Sequence, residues 1–265
     1  MDELSSYNRE RWNDLARAGV EFSRPWDGLD TAALLRKVDP YGILGDPADK
    51  DVLCLAGAGG QQGPAFARLG ARVTVLDLSD EMLARDREAA ARSNLTMQIL
   101  QGDMRDLSRF PAATFDIVWH AFSINFIPDP LPAFAEAARD LRPGGYYRIE
   151  FHNPFFMNVE ETDWDGKGYP VRLPYVQGAE IEAAPWEVWP ADGGSPVKVE
   201  GPREFRHTLS TVLNGLTAHG LRLLALHEER TMQPGSVPAQ NLEPGTWEHL
   251  MSVAAPWINL WMVKA

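Results

Sequence analysis

Four histidines stand where a proton could be moved. His120 and His152 directly follow the apolar runs Phe115 to Trp119 and Tyr146 to Phe151. His207 lies in Phe205-Arg-His-Thr-Leu-Ser-Thr, at the head of an apolar helical pattern, and His249 lies in Gly245-Thr-Trp-Glu-His. Imidazole titrates near neutrality, which suits a general base that must take a proton from a nucleophile and release it again. A hydrogen-bonded loop or core role is open for each of the four; the expectation is that at least one lines a substrate pocket. If His207 opens a helix, the positive end of the helix dipole disfavours the imidazolium and leaves a neutral ring able to accept a proton. Glu204, Trp247 and Glu248 are secondary candidates. No His, Cys, Asp or Glu spacing matches that of zinc or calcium sites, so no metal is expected.

A second group of residues has the types needed to hold a nucleoside. The stretch Asp51 to Gly63 reads Asp-Val-Leu-Cys-Leu-Ala-Gly-Ala-Gly-Gly-Gln-Gln-Gly. Val52 to Leu55 is a short apolar run that fits a strand buried on both faces. Gly57, Gly59 and Gly60 follow, and without a Cβ they let the backbone turn tightly against a ligand. Pro64 falls in the first turn of the helix expected next. Asp77 ends the following strand, about 20 positions on, where a carboxylate can accept from ribose hydroxyls. The plainer alternative is a bare turn with Asp77 as a helix cap.

Positioning these groups requires a regular scaffold. Strand and helix alternate: Arg72 to Leu76, a helix capped by Ser79 and running to about Arg92, Thr96 to Leu100, Phe115 to Trp119, a helix over Leu131 to Leu141, and Tyr146 to Phe151. Such alternation predicts an α/β, Rossmann-like, doubly wound and mostly parallel sheet with helices on both faces. Ligands of such sheets bind beyond the carboxyl ends of the strands, where Gly57, Asp77, Asp103, His120 and His152 all fall. A helix over Glu204 to His219, a strand over Leu221 to His227 and a last strand over Trp257 to Val263 complete a seven-stranded sheet with antiparallel pairing at one edge. Residues 1–40 read as an N-terminal helical cap, in which Tyr7, Asn8 and Trp12 suit a cover over a nucleotide pocket. Residues 41–152 and 202–265 form the main domain. Residues 153–201 interrupt the alternation and are rich in Pro, Gly and aromatics, with an extended or hairpin segment over Gly168 to Gly178. Leaving the sheet at its ligand face, they read as a substrate lid that places Trp164, Tyr169 and Tyr175 at the acceptor, with Trp247 and His249 nearby. A surface excursion with its own small aromatic core is the alternative.

The chain has 265 residues and a formal net charge of −12. That balance argues against a nucleic-acid partner and against an anionic membrane surface. The single cysteine, Cys54, cannot form an internal disulfide, and the acidic start Met-Asp-Glu-Leu precedes no long apolar run. Neither a signal peptide nor a membrane helix is expected, and the expected setting is cytoplasmic.

These motifs resemble the class I S-adenosylmethionine-dependent methyltransferases of small-molecule type, over about Asp51 to Ala265. The carriers are Val52-Leu-Cys-Leu-Ala-Gly-Ala-Gly-Gly60, Val73-Thr-Val-Leu-Asp77-Leu-Ser-Asp-Glu-Met82, Gly102-Asp103-Met104, Phe115-Asp-Ile-Val-Trp-His120, Phe205 to Leu216 and, most specific, Leu141-Arg-Pro-Gly-Gly145. The resemblance implies that Asp77 holds the ribose hydroxyls, with Leu78 and Met82 lining that side. It implies that Asp103 accepts from the adenine amino group with Met104 against the ring. The turn from Ala56 through Gly57 and Gly59 would approach the methionine part, and His120 to Phe122 would lie under the sulfonium. It places the helix carrying His207 beside the acceptor, making His207 the first candidate base, ahead of His152 and His120. Cys54 departs from the family pattern, which has an acid there, and Ala56 and Ala58 stand for usual glycines. The function implied is methyl transfer from S-adenosylmethionine to a small molecule by in-line displacement, releasing S-adenosylhomocysteine. A nicotinamide-dependent oxidoreductase and a non-catalytic nucleoside-binding module are the competing readings.

Overall fold

The computed structural model describes residues 1–182, 184–191, 193–230 and 239–265. It opens with α1 (Glu3–Arg17), where the Asp2 carboxylate accepts the Ser5 N–H at 2.8 Å and so satisfies one of the free donors of the first turn. α2 (Thr31–Val38) is capped in the same way by Asp30 and stops at Asp39, the residue before Pro40. Then come β1 (Asp51–Leu55), α3 (Gln62–Arg68), β2 (Arg72–Asp77), α4 (Asp80–Ser93), β3 (Met97–Gln101), β4 (Phe115–His120), α5 (Leu131–Asp140) and β5 (Leu141–His152). Beyond β5 lie β6 (Glu180–Ile181), β7 (Trp186–Val188), β8 (Val197–Val199), β9 (Glu204–Phe205), α6 (Leu209–Ala218), β10 (Leu221–Glu229), α7 (Trp247–Val253) and β11 (Trp257–Lys264).

Seven strands form one sheet in the order β10-β11-β5-β4-β1-β2-β3. β1 is parallel to β2 and β4, β2 to β3, and β4 to β5. β11 runs against both β5 and β10, so the antiparallel pairing lies at that end of the sheet. Strand order reverses between β1 and β4, and that switch opens a crevice at their carboxyl ends.

The two-residue period of the strands sorts the core into two layers. Leu53, Leu55, Val118, Ile149 and Phe151 pack under Phe134 and Ala137 of α5 and Val212 and Leu216 of α6. Val52, Cys54, Val75, Ile117 and Trp119 pack under Leu34 of α2, Phe66 of α3 and Leu83 of α4. β1 is therefore buried on both faces, which its unbroken apolar run requires. Arg142-Pro-Gly-Gly forms an irregular start to β5 rather than a separate turn, and glycine is required at 145 because a Cβ there would lie 2.9 Å from both the Asp116 and Arg142 carbonyl oxygens.

Two local expectations are corrected. The helix predicted from Glu204 begins only at Leu209, because Thr208 caps it by accepting the Thr211 N–H. Glu204 and Phe205 instead pair antiparallel with Ile181 and Glu180. Gly168 to Gly178 forms no paired strands; the hairpin of this region is β7 with β8. Helical periodicity in Leu209, Val212, Leu213 and Leu216 fixed the helix itself but not its start.

Candidate active site

The glycine turn leaves β1 at Ala56, which holds a left-handed φ of 47°. Alanine carries about 1–2 kcal/mol of strain there, since its Cβ crowds the carbonyl. Gly59 and Gly60 also have positive φ, and a Cβ on Gly59 would sit 2.1 Å from the Phe22 carbonyl oxygen. The N-terminal segment is thus packed directly on the turn, and the Gln61 side chain fastens it by donating to the carbonyls of Glu21 and Arg24. Asp77, half-buried at the end of β2, accepts from Ala58 N–H at 3.2 Å and Ser79 N–H at 2.8 Å. Burial pushes its carboxyl up to about 6, against the pull of those N–H groups. The Oε1 of Gln62 is a buried acceptor with no donor among the described residues, 3.7 Å from where a Cβ on Gly57 would lie. A nucleoside with a free ammonium fits this donor and acceptor set: hydroxyls at Asp77, a cation at Gln62.

Asp86 was missed in the sequence. It is fully buried on α4, and its Oδ2 accepts both Gly59 N–H at 2.7 Å and Gly60 N–H at 3.2 Å. It also acts electrostatically on Cys54 in β1. The only sequence signal was an acid on the buried face of α4, four residues after Met82. Burial pushes Asp86 up to about 7. A carboxyl whose pKa is raised on folding contributes stability in full below its unfolded value, near 4, and loses it as pH rises through about 7. Asp86→Asn cannot titrate, so the stability difference between wild type and variant should change by a few kcal/mol, on that linkage, between pH 4 and 8. Urea unfolding across that range checks it; parallel curves would mean that Asp86 does not titrate in the folded chain.

α1 roofs the crevice. Ser5 Oγ donates to Asp103 Oδ2 at 2.7 Å, and Arg105 clasps the same carboxylate while also pairing with Asp2. Burial opposes ionisation of Asp103, yet Arg105 and Ser5 together hold it below the usual carboxylate range. Further along α1, Asn13 Oδ1 accepts from Ser79 Oγ, and Leu15 and Ala16 pack on Met82. Met104 is buried below, accepting from Ser123 Oγ at 3.6 Å. Leu78 is half-buried and lends its carbonyl to Gln101. Tyr7 is half-buried with the Arg11 guanidinium over its ring, while Asn8 is buried and donates to the carbonyls of Phe126 and Arg203.

The histidines separate clearly. His120 is fully buried, with Nδ1 2.6 Å from Tyr147 Oη and Nε2 2.7 Å from Ser123 Oγ. Burial first and Arg148 second push it down to about 3, so it stays neutral. His207 does not open a helix; it precedes the cap Thr208 and is buried. Its Nε2 is 2.8 Å from the Ile124 carbonyl and its Nδ1 2.8 Å from Gln177 Nε2. Burial lowers its pKa, and only the tautomer donating from Nε2 and accepting at Nδ1 satisfies both partners. Both nitrogens of His120 and of His207 are thus engaged within the protein, and the helix-terminus argument for His207 falls with the corrected helix start. His249 bonds through Nδ1 to Tyr169 Oη at 2.8 Å.

His152 differs. Its Nε2 faces Glu204 Oε2 at 3.5 Å, and its Nδ1 has no hydrogen-bond partner among the described residues. Its ring packs edge-on against Phe122, with centroids 4.5 Å apart. From Phe122 an aromatic line continues through Phe126 and Trp12 to Trp186. Asn125, fully buried, fixes this corner by accepting His152 N–H at 3.0 Å and donating to the Phe205 carbonyl at 2.9 Å.

The aromatics expected at the acceptor do not form one wall. Trp164, Tyr169 and His249 pack together, and Trp247 lies across Phe156 on α7. Tyr175 stacks on Phe155 and accepts the Leu209 N–H at 2.8 Å. Trp186, carried by β7, joins the aromatic line that ends at His152.

A family model described as a methyltransferase domain matches residues 53–149. The chain is 46% identical over 181 residues to YbaJ of Bacillus subtilis (strain 168), named an uncharacterized methyltransferase, with 68% of each protein covered. It is 32% identical over 100 residues to a ubiquinone biosynthesis O-methyltransferase of Xanthomonas axonopodis pv. citri (strain 306), covering 38% of this chain and 42% of that protein, less than half its length. The solved S-adenosylmethionine-dependent methyltransferase of Mesorhizobium loti superposes with a TM-score of 0.61 at 21% identity, over 90% of this chain and 99% of that one, a likeness of fold. No helix of the described residues is long and apolar enough to cross a membrane.

Proposed function

This chain belongs to the class I S-adenosylmethionine-dependent methyltransferases, and from that premise we propose that it methylates a small-molecule acceptor held at His152. Asp77 would take the ribose hydroxyls and Gln62 the cofactor's ammonium. Asp103 would accept from the adenine amino group in place of the Ser5 hydroxyl. S-adenosylmethionine, when bound, supplies a methyl group on a sulfonium sulfur that leaves readily, so transfer needs a positioned nucleophile and exclusion of water.

The observation that carries the reading is the His152–Glu204 pair at the end of β5, beside the aromatic line from Phe122 to Trp186. Glu204 faces Nε2 and favours the tautomer with its proton there, which leaves the lone pair at Nδ1. Nδ1 would take the proton of the acceptor's hydroxyl or amine as the nucleophile attacks, and the Glu204 carboxylate would stabilise the imidazolium formed. The aromatic side chains and the roof of α1 would keep water out. A pocket of this kind, apolar with few polar groups, suits a small organic molecule. The quinone-pathway name of one relative points the same way.

The test uses methyl-labelled S-adenosylmethionine and cell extract separated by ultrafiltration. Label should appear in the filtrate in a compound that chromatography separates from S-adenosylmethionine, and should not do so without the enzyme. Label found only in retained protein or nucleic acid would reject a small-molecule acceptor.

A further inference from the structure

Arg206 is an interior cation with no counter-charge among the described residues. Only 6% of it is exposed. Its guanidinium donates to the Pro174 carbonyl at 3.3 Å and the Met157 carbonyl at 3.5 Å, and Nε has no partner among the described residues. Burial lowers its pKa, with no carboxylate of the described residues pulling the other way. Arg148 shows what the fold does elsewhere: buried to 5%, it pairs with Glu150 and stands over the Trp119 ring at 4.1 Å. A guanidinium stays protonated, so leaving one buried and unpaired is costly unless a ligand completes it.

The place of Arg206 indicates which ligand. Arg206 follows β9 directly, two residues after Glu204. Glu204 is the residue that faces His152, and Met157, whose carbonyl Arg206 reaches, lies five residues beyond His152. With a net charge of −12, the protein repels small anions in general, so an anionic acceptor needs a local cation.

We propose that Arg206 anchors a carboxylate or phosphate group of the methyl acceptor, so that the substrates of this enzyme are small anionic molecules. The proposal rests on the methyltransferase reading above, with His152 at the reacting end and Arg206 at the charged end. A planar guanidinium fork binds either anion bidentately, which fixes orientation as well as affinity.

The test measures binding of benzoate, phenyl phosphate and neutral benzyl alcohol by calorimetry to the full chain loaded with S-adenosylhomocysteine. Wild type should prefer at least one anion over benzyl alcohol by about tenfold or more, as charge-assisted hydrogen bonds provide. The better of the two anions assigns the group. Arg206→Gln should erase the preference while S-adenosylhomocysteine affinity stays unchanged. Arg206→Lys, which keeps the charge but loses the fork, should retain a reduced preference and decides the matter if Arg206→Gln does not fold. An anion preference that is absent in wild type, or undiminished in both variants, overturns the proposal. A wild-type protein that binds no S-adenosylhomocysteine overturns the methyltransferase reading itself, whereas one that binds it and shows no anion preference overturns this proposal alone.

Discussion

Asp77→Ala should weaken S-adenosylhomocysteine binding by about 10²–10⁴-fold, the loss of two charge-assisted hydrogen bonds of roughly 1.5–3 kcal/mol each. The carboxylate lies at the end of β2 and already meets the glycine turn through Ala58 N–H. The effect should also depend on pH. Burial pushes Asp77 up to about 6, and hydroxyl donors favour its anion, so binding must drive off a proton at lower pH. Affinity is therefore full above that value and falls about tenfold per pH unit below it. Asp86, at about 7, acts on the same turn, so the part of the dependence that survives in Asp77→Ala belongs to Asp86. Calorimetry between pH 5 and 8 on both proteins checks this, and equal affinities at pH 8 would remove Asp77 from the cofactor site.

His152→Asn should slow methyl transfer by about 10²–10⁴-fold, the range for a general base, with S-adenosylhomocysteine affinity nearly unchanged. Glu204→Gln should cost less, because it removes the stabiliser of the imidazolium and leaves the base in place. His207→Asn tests the competing assignment, since both nitrogens of His207 are taken by Ile124 and Gln177. It should lower thermal stability, by roughly 1–3 kcal/mol for a buried polar group left unsatisfied, more than it lowers turnover of the folded protein. Single-turnover rates for the two variants, set beside their melting temperatures, separate the roles. A slow His207→Asn with a fast His152→Asn would reverse them.

The sequence by itself determined the sheet, because buried strands and glycine turns carry signals in consecutive residues. The run Val52 to Leu55 gave β1, Ser79 gave the start of α4, and Arg142-Pro-Gly-Gly gave the entry to β5. Asp77 and Asp103 were legible for the same reason: each falls at or just past the end of a strand, and strand order sends those ends to one crevice. Only the tertiary structure decided which partner each histidine meets. Those partners lie far away in the chain: Tyr147 on His120, Gln177 on His207, Tyr169 on His249 and Glu204 on His152. Asp86, Asn125 and Arg206 were invisible for a related reason. An acid on a helix face or an arginine in a loop reads as solvated surface until packing removes the water, and only then does the missing or distant partner give the charge its meaning.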